Sequence, residues 1–217
     1  MKNLLLVLVA VSAGACQTAR PVADYGRFYD RQPGTVLVLP VINETTSAEA
    51  PAAFSSTIAS PLLRRGYSVL PVLPSADLLR AEGIYDGEQV SNESLDAFRD
   101  LLGAEAVLQV VLHSWDTVYI ILASAVEVDM TYTLFDTETK EVLWSDRATH
   151  TIQSDSGGGS LLAAAINAAV TAAAVQYVDL AREANVYALS SLPAGPYSPK
   201  FAEERTRYLE LQARRDS

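Results

Sequence analysis

The hydrophobic pattern changes character several times along this chain, and each change predicts an element. Val36-Leu37-Val38-Leu39 runs without alternation, as in a strand covered on both faces, and Pro40 ends the regular ladder of a strand spanning Thr35 to Val41. A polar loop, Asn43 to Ala48, precedes a helix over Pro51 to Arg65, with proline in its first turn and Gly66 as its stop. Tyr67 to Val72 predicts a second strand, which Pro71 and Pro74 place at an edge. These pieces make a right-handed βαβ unit with parallel strands. Two helices follow. Ser75 caps the first, Ser75 to Glu82, with Leu78 and Leu79 inward; Ser94 caps the second, with Leu95, Phe98, Leu101 and Leu102 as its stripe and Gly103 as its end.

Beyond Gly103 the period shortens to two. Ala106 to Trp115 is strongly apolar. Val118 to Phe135 alternates Val126, Val128, Met130, Tyr132 and Leu134 with Glu127, Asp129, Thr131 and Thr133, and Lys140 to Ile152 alternates again. This predicts an antiparallel meander with one wet face, a hairpin turn at Asp136-Thr137-Glu138-Thr139 and a less legible join at Trp115-Asp116-Thr117. A Gly/Ser loop, Ser154 to Ser160, leads into an alanine-rich helix, Leu161 to Arg182, with Leu162, Ile166, Val170 and Tyr177 on its core face. Asn167, Thr171 and Gln176 interrupt its apolar run, which argues against a membrane span. Leu192 to Pro196 ends the domain, and Phe201 to Arg215 reads as a charged, exposed helix. The fold class is α/β: a mixed sheet of about five strands, with a parallel βαβ start and an antiparallel meander end, flanked by helices.

The first residues follow a different logic. Lys2, the apolar stretch Leu4 to Ser12 and the small residues Ala13-Gly14-Ala15 have the layout of a secretory signal peptide, and the run is too short for a bilayer, which takes roughly 20 residues. Cys16 is the only cysteine of the chain. Its position resembles the bacterial lipobox, in which the thiol is acylated, although Ala13 stands where leucine is usual. Ordinary cleavage after Ala15 is the rival reading; it would leave an unpaired thiol in an oxidising compartment. Gln17 in place of Asp favours the outer membrane, by resemblance to sorted lipoproteins. The expected organisation is a signal peptide over 1–15, a lipid anchor and tether over 16–34, an α/β domain over 35–190 and a C-terminal tail with an exposed helix over 191–217. Tyr25, Phe28 and Tyr29 are too aromatic for a free linker, so part of the tether should lie against the domain.

Of the 217 residues 49% are hydrophobic, enough for a real core, and the formal charge of −10 repels phosphate backbones, which excludes nucleic acid as a partner. Catalytic signatures are missing. His113 and His150 are the only histidines and have no i, i+4 ligand partner, so neither metal nor cofactor is expected, and no serine has a recognisable base. Gly157-Gly158-Gly159 lacks the Lys-Ser/Thr ending of a phosphate loop and reads as a hinge. Glu127 and Asp129 read as a solvated face. The best recognition candidate is the loop carrying Asn43, Glu44, Thr45 and Thr46, after the carboxyl end of a central parallel strand; helix capping is its plainer role.

Several stretches together carry a resemblance: Asp24-Tyr25, Val36-Leu37-Val38-Leu39-Pro40 with Asn43, Gly66-Tyr67, Leu143-Trp144, Gly157-Gly158-Gly159 and Gly195-Pro196-Tyr197-Ser198-Pro199-Lys200. The set resembles a family of Gram-negative outer-membrane lipoproteins of unknown function, found beside a CsgG-like lipoprotein. The resemblance implies a fold like the N-terminal domain of TolB and brings no catalytic residues. It implies an outer-membrane protein facing the periplasm, or exposed at the surface, held to the membrane through acylated Cys16. Its expected partners are CsgG-like or other envelope proteins, or a second copy of the chain, in an assembly or secretion complex. The alternative is a binder of small ligands or peptidoglycan fragments at the Asn43 loop; for an envelope hydrolase no nucleophile with a base can be named.

Overall fold

Val36 and Val38 point into one core, Leu37 and Leu39 into another, and all four are buried. That is why this run shows no alternation. The computed structural model describes residues 25–120, 123–153 and 170–215. The expected signal peptide, Cys16 and the expected tether before Tyr25, the hinge expected at Gly157-Gly158-Gly159, and the helix positions expected at Leu162, Ile166 and Asn167 lie outside them.

The strands are β1 (Thr35–Val38), β2 (Ile42–Asn43), β3 (Ser68–Val69), β4 (Ala106–Ile120), β5 (Ala123–Asp136) and β6 (Val142–Gln153). They form one mixed sheet in the order β3-β1-β4-β5-β6, with β2 pairing β4 beyond the end of β1. β1 is parallel to β3 and β4, and β4-β5-β6 is an antiparallel meander. The helices are α1 (Gly26–Arg31), α2 (Ala50–Thr57), α3 (Ala59–Arg64), α4 (Val72–Ala81), α5 (Asn92–Leu102), α6 (Val170–Ala188) and α7 (Phe201–Arg215). The larger core lies between the sheet and α2, α3 and α6, with Phe28, Tyr29 and Tyr208 closing one end. The smaller core joins α4 and α5 to Leu37, Leu39 and Val107. On the inner face of α6, Ala181, Ala184 and Ala188 let its backbone approach α2 closely.

The structure corrects several boundaries, each for a local reason. Asn43 belongs to a resumed strand, β2, since pairing with β4 restarts after Pro40 at Ile42↔Val111. The helix expected over Pro51 to Arg65 is divided at Ile58, because Pro61 lacks the N–H that a continuous helix would direct to the Thr57 carbonyl. The second strand shrinks to Ser68–Val69, and α4 starts at Val72, with Pro74 in its first turn where no donor is needed. Ser75 is therefore inside α4 and not its cap, and Leu78 is 44% exposed while Leu79 is buried. Ser91, not Ser94, caps α5: Ser94 N–H donates to Ser91 Oγ (3.3 Å) and Ser91 N–H to Ser94 Oγ (3.2 Å). Leu101, expected in the buried stripe, is 81% exposed. No join interrupts Trp115-Asp116-Thr117, since β4 runs through to Ile120. A bulge at His113 switches the inward parity from Leu108, Val110 and Leu112 to Trp115, and that switch imitates a break.

The aromatic residues of the segment expected as a tether lie in and beside α1, against the rest of the domain. Phe28 and Tyr29 are buried, and Tyr29 meets Tyr208 with ring centroids 5.1 Å apart. Most of α7 is exposed, but Tyr208 is buried, and the segment before α7 is tied down. Gly195 N–H donates to the Arg65 carbonyl (2.8 Å), Tyr197 N–H to the Gly66 carbonyl (3.1 Å) and Tyr67 OH to the Pro193 carbonyl (2.7 Å).

Candidate functional site

Alternation along the meander buries Val126, Val128, Met130, Tyr132 and Leu134 toward α6 and turns Glu127, Asp129, Thr131 and Thr133 the other way. Ser145, Arg147 and Thr149 continue that second face on β6 and are exposed. It lies on the same side of the sheet as α4 and α5, beyond the strands they cover.

His113, the extra residue of the β4 bulge, joins this face to the predicted recognition loop. Its Nδ1 is 2.6 Å from Glu44 Oε2 and its Nε2 is 2.8 Å from Thr131 Oγ1. Asn43 turns into its own loop, donating from Nδ2 to the Ser47 carbonyl (3.0 Å) and accepting at Oδ1 from Thr45 N–H (3.2 Å) and Thr45 Oγ1 (2.7 Å). Thr45 Oγ1 accepts in turn from Ser47 N–H (3.1 Å). Helix α2 takes no side-chain cap, so the plainer role expected for the loop is not the one it has. Its side chains brace the loop instead. Of the predicted loop residues, only Glu44 reaches the sheet face; Thr46 is exposed.

Arg147 grips Asp129 with two bonds, Nε to Oδ1 (3.1 Å) and a terminal nitrogen to Oδ2 (2.6 Å). That guanidinium holds the Asp129 carboxyl below its ordinary range, against the opposing effect of burial. The order Glu44, His113, Thr131 is that of an acyl-transfer triad. Thr131, however, sits in mid-strand, paired with Val111 on one side and Arg147 on the other. Its backbone and those of its neighbours are engaged in the ladder and cannot line an oxyanion hole. The arrangement works as a latch that fixes the loop to the sheet.

His150 lies elsewhere, its Nε2 3.1 Å from Glu183 Oε1 and its ring stacked on Tyr187 at 4.4 Å. Among the described residues no three His, Cys, Asp or Glu side chains are placed to hold a metal ion. The His113–Glu44 pair, 69 residues apart in the chain, escaped sequence reasoning. The loss of parity between Leu112 and Trp115 was the signal that could have located the bulge.

A sequence model of the family described as "Putative lipoprotein GNA1162-like" matches residues 23–194, a span from just before α1 to the buried Ala194. "Putative lipoprotein NMB1124/NMB1162" of Neisseria meningitidis serogroup B is 29% identical over 216 residues, covering 95% of this chain and 100% of that protein. The crystal structure of lipoprotein GNA1162 from Neisseria meningitidis superposes with a TM-score of 0.51 at 25% identity, over 66% of this chain and 99% of that one.

Proposed function

The chain belongs to the GNA1162-like lipoprotein family, and we propose that within it this protein is a non-catalytic, protein-binding component of an envelope assembly or secretion complex. In this reading acylated Cys16 holds it at the outer membrane, the domain faces the periplasm, and a CsgG-like lipoprotein is its partner. The observation that carries the reading is the open polar face of β4-β5-β6, edged by a loop that the His113 latch keeps in place. A braced loop beside a rigid sheet presents a surface at little ordering cost, as a protein-recognition site requires. The small-ligand reading draws less support, because Asn43 and Thr45 direct their polar groups into the loop itself.

Photo-crosslinking in intact cells from a benzoylphenylalanine at Arg147 tests the proposal. Adducts with an envelope protein, a CsgG-like lipoprotein first among them, are the expected result. A chain that crosslinks to nothing from that face overturns it.

A further inference from the structure

Helices α4 and α5 leave an apolar groove of about 440 Å³ between them. Leu78, Leu79, Ile84, Phe98, Leu101 and Leu102 line it, and Leu78 and Leu101 remain 44% and 81% exposed. Leu78 and Leu101 flank the cleft and the buried Leu79 and Phe98 floor it, so the exposed apolar surface here is grouped and not scattered singly. The charged residues of the lining are both acids, Glu82 and Glu93. Nearby cations pair with other acids, Arg80 with Asp77, Arg99 with Glu138 and Lys140 with Asp96, although Ser91 and, at longer range, Lys140 also act on Glu93.

We propose that this groove docks a cationic amphipathic segment of a partner protein, its apolar side chains between α4 and α5 and its Lys or Arg residues against Glu82 and Glu93. The proposal rests on the protein-binding reading above and adds to it a second contact surface of defined chemistry. A cleft between two helices suits the helix-in-groove mode, in which apolar anchors give affinity and flanking charge selects the partner. The chain's formal charge of −10 favours the approach of such a segment over an acidic one.

The test uses the full chain in nanodiscs of zwitterionic lipid, with benzoylphenylalanine at Leu101 or, as a control, at Leu209 on α7. Its probes are two synthetic helical peptides, one of Leu and Lys and one of Leu and Glu at the same spacing. The expected result is labelling by the Leu/Lys peptide from position 101, about tenfold above position 209 and above the Leu/Glu peptide, as charge selection at a rim predicts. The double substitution Glu82→Lys/Glu93→Lys should cut it about tenfold. The charge-matched Glu203→Lys/Glu210→Lys should leave it unchanged. Equal labelling at the two positions, labelling by the acidic peptide, or indifference to the groove reversal overturns the proposal. A crosslink from 101 to a second copy of the chain overturns it too, assigning the groove to self-association. In intact cells, adducts from Arg147 with none from Leu101 retire the groove and leave the protein-binding reading standing; none from either site retires both.

Discussion

Tyr132 and Asn185 show how a single buried polar pair can pin a helix to a sheet. Tyr132 OH donates to Asn185 Oδ1 (2.5 Å), and Asn185 Nδ2 donates to the Phe54 carbonyl (3.1 Å) and to Thr57 Oγ1 (2.9 Å), so β5, α6 and α2 meet in one network. Tyr132→Phe would strand the Asn185 oxygen in a dry core, at a cost of about 1–3 kcal/mol, readable as a lower midpoint in urea unfolding. Asp136 is the second such residue. It accepts from Glu138 N–H (2.8 Å), Thr139 N–H (2.7 Å) and Arg31 Nε (2.8 Å). Burial pushes its carboxyl up, but these donors together hold it below the ordinary value. A carboxyl depressed in the folded state stabilises above its unfolded value and loses that contribution as pH falls through the folded one. Asp136→Asn should therefore lower stability at pH 7 by about 1–3 kcal/mol. The deficit should shrink in acid, as paired urea titrations at pH 7 and about pH 3, below the usual aspartate value, would show.

At the scale of elements, the turn after α3 and the segment before α7 meet through glycines. A Cβ on Gly195 would stand 2.4 Å from the Gly66 carbonyl oxygen, and one on Gly66, whose φ is +88°, would stand 2.3 Å from Ser198 N. Gly195→Ala should expel the segment before α7, and limited proteolysis should then release α7 at protease levels that leave the parent chain intact. Gly103→Ala is the contrast: φ there is +67° but nothing lies within 4 Å, so the cost is backbone strain of about 1–2 kcal/mol, without release of α7. Gly66-Tyr67 and Gly195-Pro196-Tyr197-Ser198 were both conspicuous in the sequence; that they touch was not, since no periodicity encodes a contact across 129 residues, from 66 to 195. The meander was legible because alternation survives wherever one face is wet, as from Val126 to Leu134. It failed at His113, where one inserted residue inverts the parity on which the reading depends. Of the loop expected over Asn43 to Thr46, Asn43 lies in β2 itself and the rest follows that strand's end; the link from Glu44 to His113 is tertiary and left no local trace.

For the whole molecule, the proposed anchoring makes a separable prediction. An acidic chain held by acyl groups should stay in the membrane fraction through a wash at about 1 M salt, where screening acts over only ~3 Å, while Cys16→Ser should leave it in the soluble fraction. Retention of Cys16→Ser in the membrane would count against acylation as the anchor. The stack at the start of the domain bears on what such an anchor does mechanically. Any pull arriving from before Tyr25 meets α1 first, where Tyr25 and Tyr29 lie against Tyr208 of α7 and Arg31 is fastened to Asp136 and Glu138. Tension on such a leash is thus met first by a ring clamp and an ionic catch; the catch hands its share to the end of β5 through Asp136, and β1 is loaded only once both have slipped.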